Sequence, residues 1–116
     1  MTERPRVAVI LGPTAAGKTA VALEVAERLG LEIVSADSLQ VYRHLDIGTD
    51  KPPPEVRARL PHHLIDVVEP HEHFDAARYM ELARRAIQEV HARGGRALVV
   101  GGSMLYLRAL LEGLFA

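Results

Sequence analysis

Two kinds of hydrophobic run alternate along the chain. Residues 6–11 (RVAVIL) are nearly continuous in β-branched and aliphatic side chains and stop at Gly12. That is how a parallel strand buried on both faces reads. From Lys18 the period lengthens: Val21, Leu23, Val25, Ala26 and Leu29 share one broad helical face, and Gly30 supplies the stop. Residues 31–36 (LEIVSA) predict a second strand, closed by Asp37-Ser38. The segment 40–70 carries Pro52-Pro53-Pro54 and Pro61, so only short helical or strand pieces fit; residues 64–68 form its candidate strand. A helix follows over residues 76–93, with Asp75 as N-cap, Met80, Ala83, Ile87 and Val90 at three- and four-residue steps, and Gly94-Gly95 at its end. Residues 96–100 (RALVV) form another buried-type strand, closed by Gly101-Gly102, and a last helix begins near Ser103.

Strands alternating with helices imply an α/β fold with a mostly parallel sheet and right-handed crossovers. Ligands of such sheets sit beyond the carboxyl ends of the strands. Gly12, Asp37 and Gly101 each follow a strand directly, so three loops are expected to converge on one edge. The last helix adds a second message. Met104, Leu105, Leu107, Ala109, Leu110, Leu111, Leu114 and Phe115 leave it almost no polar face, which calls for burial on several sides. The expectation is an N-terminal piece, residues 1–116, of a larger protein, with its sheet incomplete.

Composition narrows the classes. The 116 residues suit one domain, and 48% hydrophobic with 25% charged residues is ordinary for a soluble globular protein. The formal net charge of -1 advertises no general affinity for nucleic acid, so any such partner needs a local patch. Cysteine is absent, which removes disulfides, thiolate metal sites and a thiol nucleophile. The six-residue apolar run near the start is too short for a signal peptide's core, and no stretch approaches the ~20 apolar residues of a membrane span. A soluble, cytoplasmic protein that does not enter the membrane is expected.

The most specific signal is Gly12-Pro13-Thr14-Ala15-Ala16-Gly17-Lys18-Thr19, a G-x-x-x-x-G-K-[ST] loop between a strand and a helix. Its backbone N–H groups and the helix N-terminus attract phosphate, Lys18 adds a full charge, and the Thr19 hydroxyl suits Mg²⁺. The loop places the fold with the P-loop NTPase-like three-layer architectures. Nucleotide hydrolases of this type also need a metal-orienting carboxylate at the end of another buried strand. Here RALVV runs into Gly101-Gly102-Ser103, with no acid. The carboxylate at a strand end is Asp37, beside Ser38, Leu39 and Gln40. An acid facing phosphates has a purpose if it handles a metal or a proton, and glutamine suits the edge of adenine. Asp37 as a turn cap is the structural alternative. Six histidines are present, but His71-Glu72-His73 sits in a proline-bounded loop without a third ligand at metal spacing, and His62-His63 reads as packing and hydrogen bonding near the loop above the sheet.

Taken in order, GPTAAGKT, SADSLQVYRHLDIGTDKP, HHLIDVVEP and GGSMLYLRALLEGL resemble the successive signatures of the tRNA dimethylallyltransferases (tRNA isopentenyltransferases). The resemblance spans residues 7–114. It implies transfer of a dimethylallyl group from dimethylallyl diphosphate to N6 of adenosine 37 in tRNA, by a protein that acts as a monomer. On this reading residues 12–19 cradle the diphosphate, Lys18 stabilises the leaving pyrophosphate and Thr19 holds Mg²⁺. Asp37 takes the N6 proton, Ser38, Leu39 and Gln40 contact the flipped adenosine, and Ser103 lies at the tRNA contact. The family commonly has Thr where Ser103 stands and often Ser where Ala16 stands. A small-molecule or nucleoside kinase, and a non-catalytic phosphate-binding fragment, are the alternatives.

Overall fold

The computed structural model describes residues 7–12, 18–44 and 51–115. Four strands form one parallel sheet: β1 (Val7–Leu11), β2 (Leu31–Ser35), β3 (His62–His63) and β4 (Arg96–Gly101), in the order β1-β4-β2-β3. Among the described residues, α1 (Lys18–Leu29), α2 (Pro54–Arg59) and α3 (Ala76–Ala92) connect successive strands, and α4 (Met104–Phe115) follows β4. The expected alternation of strand and helix is therefore present, and it builds three layers.

Side-chain alternation along the strands assigns the layers. Leu31, Ile33 and Leu98 share a cluster with Ala22 and Ala26 of α1. Their neighbours Val34, Ala97 and Val99 point the other way, to Tyr79, Ala83 and Ile87 of α3 and Tyr106, Leu107 and Leu110 of α4. Tyr79 and Tyr106 stack with centroids 4.7 Å apart, which joins the two helices on that face. Asp75 caps α3, its Oδ1 accepting from the Arg78 N–H at 2.9 Å, as the sequence pattern predicts. Gly30 takes φ +66° after α1, the left-handed stop that only glycine adopts without strain.

Three expectations fail, each for a tertiary reason. Residues 64–68 do not form a strand: the pairing segment is His62–His63, and Leu64 (φ +66°) and Asp66 (φ +57°) bend the chain, leaving Val68 in a lone bridge to Tyr42. The run 6–11 reads as buried on both faces, but β1 pairs only with β4 among the described residues, the lost neighbour that an incomplete sheet implies, and Val9 and Leu11 are 40% and 45% exposed. α1 meets the sheet through the small side chains Ala22 and Ala26, so Val21 and Leu29 turn outward. The outer side of α4 exposes Met104, Leu105 and Leu111, as an almost wholly apolar helix implies, and also the Arg108–Glu112 ion pair. No helix among the described residues is long and apolar enough to cross a membrane.

An ion cluster ties the strands to the end of α3. The Glu32 carboxylate receives His63 Nε2 at 2.8 Å and Arg93 Nη2 at 2.6 Å. Burial pushes the Glu32 pKa up, but the hydrogen bonds and charges of His63 and Arg93 more than offset this and hold it below its ordinary value. A depressed carboxylate stabilises the fold above its unfolded-state pKa and loses that contribution as pH falls through the folded value. Glu32→Gln should therefore destabilise the chain near neutral pH, and its gap to wild type should close between about pH 6 and about pH 3 in urea titrations. A gap that does not change with pH would assign the loss to packing instead.

Candidate functional site

Backbone hydrogen bonds draw the three predicted loops together. Gly12 N–H donates to Gly101 O at 3.3 Å, Ala36 N–H to Val100 O at 2.8 Å, and Ser103 N–H to Ala36 O at 3.1 Å. The carboxyl ends of β1, β2 and β4 thus meet within a residue or two of Asp37. A cleft opens there on the α1 side of the sheet. Lys18, Thr19, Ser35, Asp37, Gln40 and His62 are its polar lining; Ala22, Leu23, Ile33, Pro52, Ile65 and Val100 are its apolar lining.

Lys18 opens α1 and is only 7% exposed. Buried lysines are almost always paired, yet Lys18 has no carboxylate or other hydrogen-bond partner among the described residues. Thr19 follows it at the same helix end and lines the same cleft. Residues 13–17, Pro13, Thr14, Ala15, Ala16 and Gly17 of the predicted phosphate loop, lie outside the described residues.

Asp37 is both a cap and a cleft residue. Its Oδ1 accepts from Leu39 N–H at 2.8 Å and Gln40 N–H at 3.2 Å, closing a tight turn. Its other oxygen has no protein partner among the described residues, so the cap reading and the chemical reading hold together. Side chains 31, 33, 35 and 37 alternate onto one face, which is why Asp37 arrives beside Ser35 on the cleft. Ser35, buried at the end of β2, donates to Gln40 Oε1 at 3.0 Å and so orients that amide. Ser38 and Leu39 are exposed at the turn. Ser103 is not in the cleft lining: its Oγ accepts from Tyr106 N–H at 3.3 Å and caps α4.

His62 and Ser35 are the cleft groups that the sequence pattern missed. Burial lowers the His62 pKa, with the Leu60 carbonyl opposing and the Arg57 and His63 charges reinforcing. The ring is therefore neutral near pH 7, its Nδ1–H donating to Leu60 O at 2.7 Å. A histidine after a proline carries no pattern that separates a cleft lining from packing; only β3 pairing beside β2 brings it there. Ser35 had a usable signal, being two residues before Asp37 on a strand. His71 and His73 are exposed, and no group of three His, Asp or Glu side chains among the described residues could hold a metal.

Fold and site together define a phosphate-loop α/β domain, with a lysine, a hydroxyl and a carboxylate gathered at the carboxyl edge of a parallel sheet. The chain belongs to the IPP transferase family, whose model matches residues 40–116. It is similar to tRNA dimethylallyltransferase 2 of Syntrophus aciditrophicus, 59% identical over 113 residues, which cover 97% of this chain and 36% of that protein. Among solved structures it resembles the full-length tRNA isopentenylpyrophosphate transferase of Bacillus halodurans at 44% identity and TM-score 0.86, covering 95% of this chain and 36% of that one. A eukaryotic dimethylallyltransferase acting on tRNA matches at 35% identity and TM-score 0.85, over 91% of this chain and 26% of that one. The chain thus spans about a third of the length of the two bacterial relatives and about a quarter of the eukaryotic one.

Proposed function

We propose that this chain is the diphosphate-binding, proton-accepting part of a tRNA prenyltransferase. The observation that carries the reading is Lys18: a lysine only 7% exposed, without an anionic partner among the described residues, that lines one cleft with Asp37 and Gln40. The reaction moves a dimethylallyl group from its diphosphate to N6 of adenosine 37. The N6 lone pair forms the new bond to the allylic carbon, the carbon–oxygen bond to the diphosphate breaks, and the N6 proton passes to Asp37. Residues 12–19 hold the leaving diphosphate, with Lys18 offsetting its developing charge. Thr19 presents a hard oxygen at the helix end that suits Mg²⁺, which when bound would neutralise further phosphate charge. Gln40 reads the flipped base, with Ser38 and Leu39 beside it on the exposed turn. The apolar lining from Leu23, Ile33, Ile65 and Val100 suits a five-carbon prenyl group better than a nucleotide's ribose. Ser103 contributes by capping α4 and by holding the Gly101-Gly102 loop against Ala36, beside the tRNA path. The edge of β1 that is unpaired among the described residues and the exposed Met104, Leu105 and Leu111 of α4 are the surfaces on which the rest of a monomeric, cytoplasmic enzyme would pack.

Titration calorimetry of the full-length protein should show binding of dimethylallyl diphosphate in preference to ATP; preference for ATP would favour a kinase. Residues 1–116 alone should give no detectable transfer to tRNA. Ordinary turnover by that piece would overturn its role as one part of a larger site.

A further inference from the structure

The HHLIDVVEP segment supplies the cleft with His62 and Ile65, but its aspartate has a different position. Asp66 Oδ1 lies 2.6 Å from Lys51 Nζ and Oδ2 lies 2.8 Å from Arg57 Nη1. Lys51, whose side chain is 6% exposed, also donates to Tyr42 O at 2.6 Å. The Asp66 backbone is engaged as well: its N–H donates to Gln40 O at 3.0 Å, and its carbonyl accepts from Arg43 Nε at 2.9 Å. Val67 and Val68 N–H both donate to Val41 O, and Arg43 N–H donates to Val68 O. Every residue from Gln40 to Arg43 is therefore tied, directly or through Lys51, to the segment around Asp66. This is the stretch that continues the Asp37 turn and carries Gln40.

Building on the transferase reading, we infer that Asp66 is a positioning residue for acceptor recognition. Its carboxylate clamps Lys51 and Arg57 so that the 37–43 loop holds Gln40 over the cleft. The side chain does not line the cleft and touches no reacting atom; it acts through the loop. Partial burial by itself would raise the Asp66 pKa, but the hydrogen bonds and charges of Lys51 and Arg57 hold it below the usual carboxylate range. The clamp is thus charged throughout the neutral range. Its two cations come from the proline-rich segment, Lys51 directly before Pro52 and Arg57 on the short α2, whereas the donor-binding Lys18 sits on α1. Acceptor and donor handling are therefore held by separate elements.

The test is a kinetic cycle in the full-length protein with Asp66→Asn, Gln40→Ala and the double variant. Asp66→Asn keeps the side chain's size and removes its charge. It should lower kcat/KM for tRNA by about tenfold, the order expected when one group acts through a contacting neighbour. Dissociation of dimethylallyl diphosphate should stay within about twofold of wild type, since no donor contact is removed. In the Gln40→Ala background the same substitution should cost little more, because both act on one function. Additive losses, or a donor affinity that falls in step with tRNA efficiency, would overturn the inference. If Asp66→Asn does not fold, Arg57→Gln retains the Lys51 pair and should give a smaller loss of the same kind; unchanged tRNA kinetics in that variant would equally overturn it. A wild-type protein that transfers no prenyl group would sink the transferase reading and this one with it. Normal, Asp37-dependent transfer with additive variants would sink this one alone.

Discussion

Replacing Asp37 with Asn in the full-length protein should lower the rate of prenyl transfer by about 10²–10⁴-fold, the usual contribution of a positioned general base. The choice of Asn follows from the geometry. Asp37 Oδ1 closes the turn by accepting from Leu39 and Gln40 N–H, a task that an amide oxygen performs equally well. The other oxygen, without a partner among the described residues, is replaced by an NH₂ that cannot take a proton. The turn and Gln40 should stay in place while the chemistry fails. Donor affinity should change little, because the proposed reading assigns the diphosphate to Lys18 and the residues before it and not to Asp37. Single-turnover transfer to tRNA, measured beside equilibrium donor binding, separates these effects. A variant within tenfold of wild type in single turnover would remove Asp37 from the chemical step and leave it only as a cap.

The largest effect on the fold should come from Gly101→Ala. A Cβ at Gly101 would lie 2.2 Å from Ala36 O, 2.4 Å from Ala36 C and 2.7 Å from Ala36 Cβ. No rotamer relieves this, since the obstacle is main chain. The Ala36 backbone is moreover held from two sides, by Val100 O and Ser103 N–H. β2 and β4 must separate at their carboxyl ends, the edge on which the site depends. Overpacking of this kind costs about 1–3 kcal/mol and sometimes more; a main-chain clash belongs at the upper end. Neighbouring glycines grade the argument. A Cβ at Gly102 would approach Gly12 O at 3.0 Å, and one at Gly12 would meet nothing within 4 Å among the described residues. Stability by urea denaturation should therefore fall most for Gly101→Ala, less for Gly102→Ala and least for Gly12→Ala. Equal losses at Gly101 and Gly12 would show that the close approach of β4 to Ala36 is not what requires glycine.

Local signals carried well wherever one element decides its own fate. The glycine stop after α1, the Asp75 cap of α3 and the buried run of β4 all follow from neighbours within a few residues. They failed where a partner was needed. VAVIL is more apolar than LEIVS, yet β2 lies between β4 and β3 while β1 pairs only with β4 among the described residues, so the more apolar run ends more exposed. LIDVV reads as a strand by composition, but Lys51, Arg57 and Arg43 gather on Asp66 and impose a left-handed bend. Those three cations stand 9 to 23 positions away, beyond any periodicity.

Sequence by itself carried the expectation about chemistry: the spacing of Gly12, Gly17, Lys18 and Thr19 between a strand and a helix calls for phosphate, and an acid at Asp37 with none after β4 argues against simple nucleotide hydrolysis. Spacing suffices there because a loop and its helix end form from adjacent residues. Tertiary structure alone decided that Lys18 is buried without a carboxylate partner among the described residues, that Ser35 and His62 join Asp37 on one cleft, and that Asp66 gathers Lys51 and Arg57 beside the 40–43 stretch. Those facts depend on parallel pairing of β2 with both β3 and β4, and such pairing brings together residues that no local pattern relates.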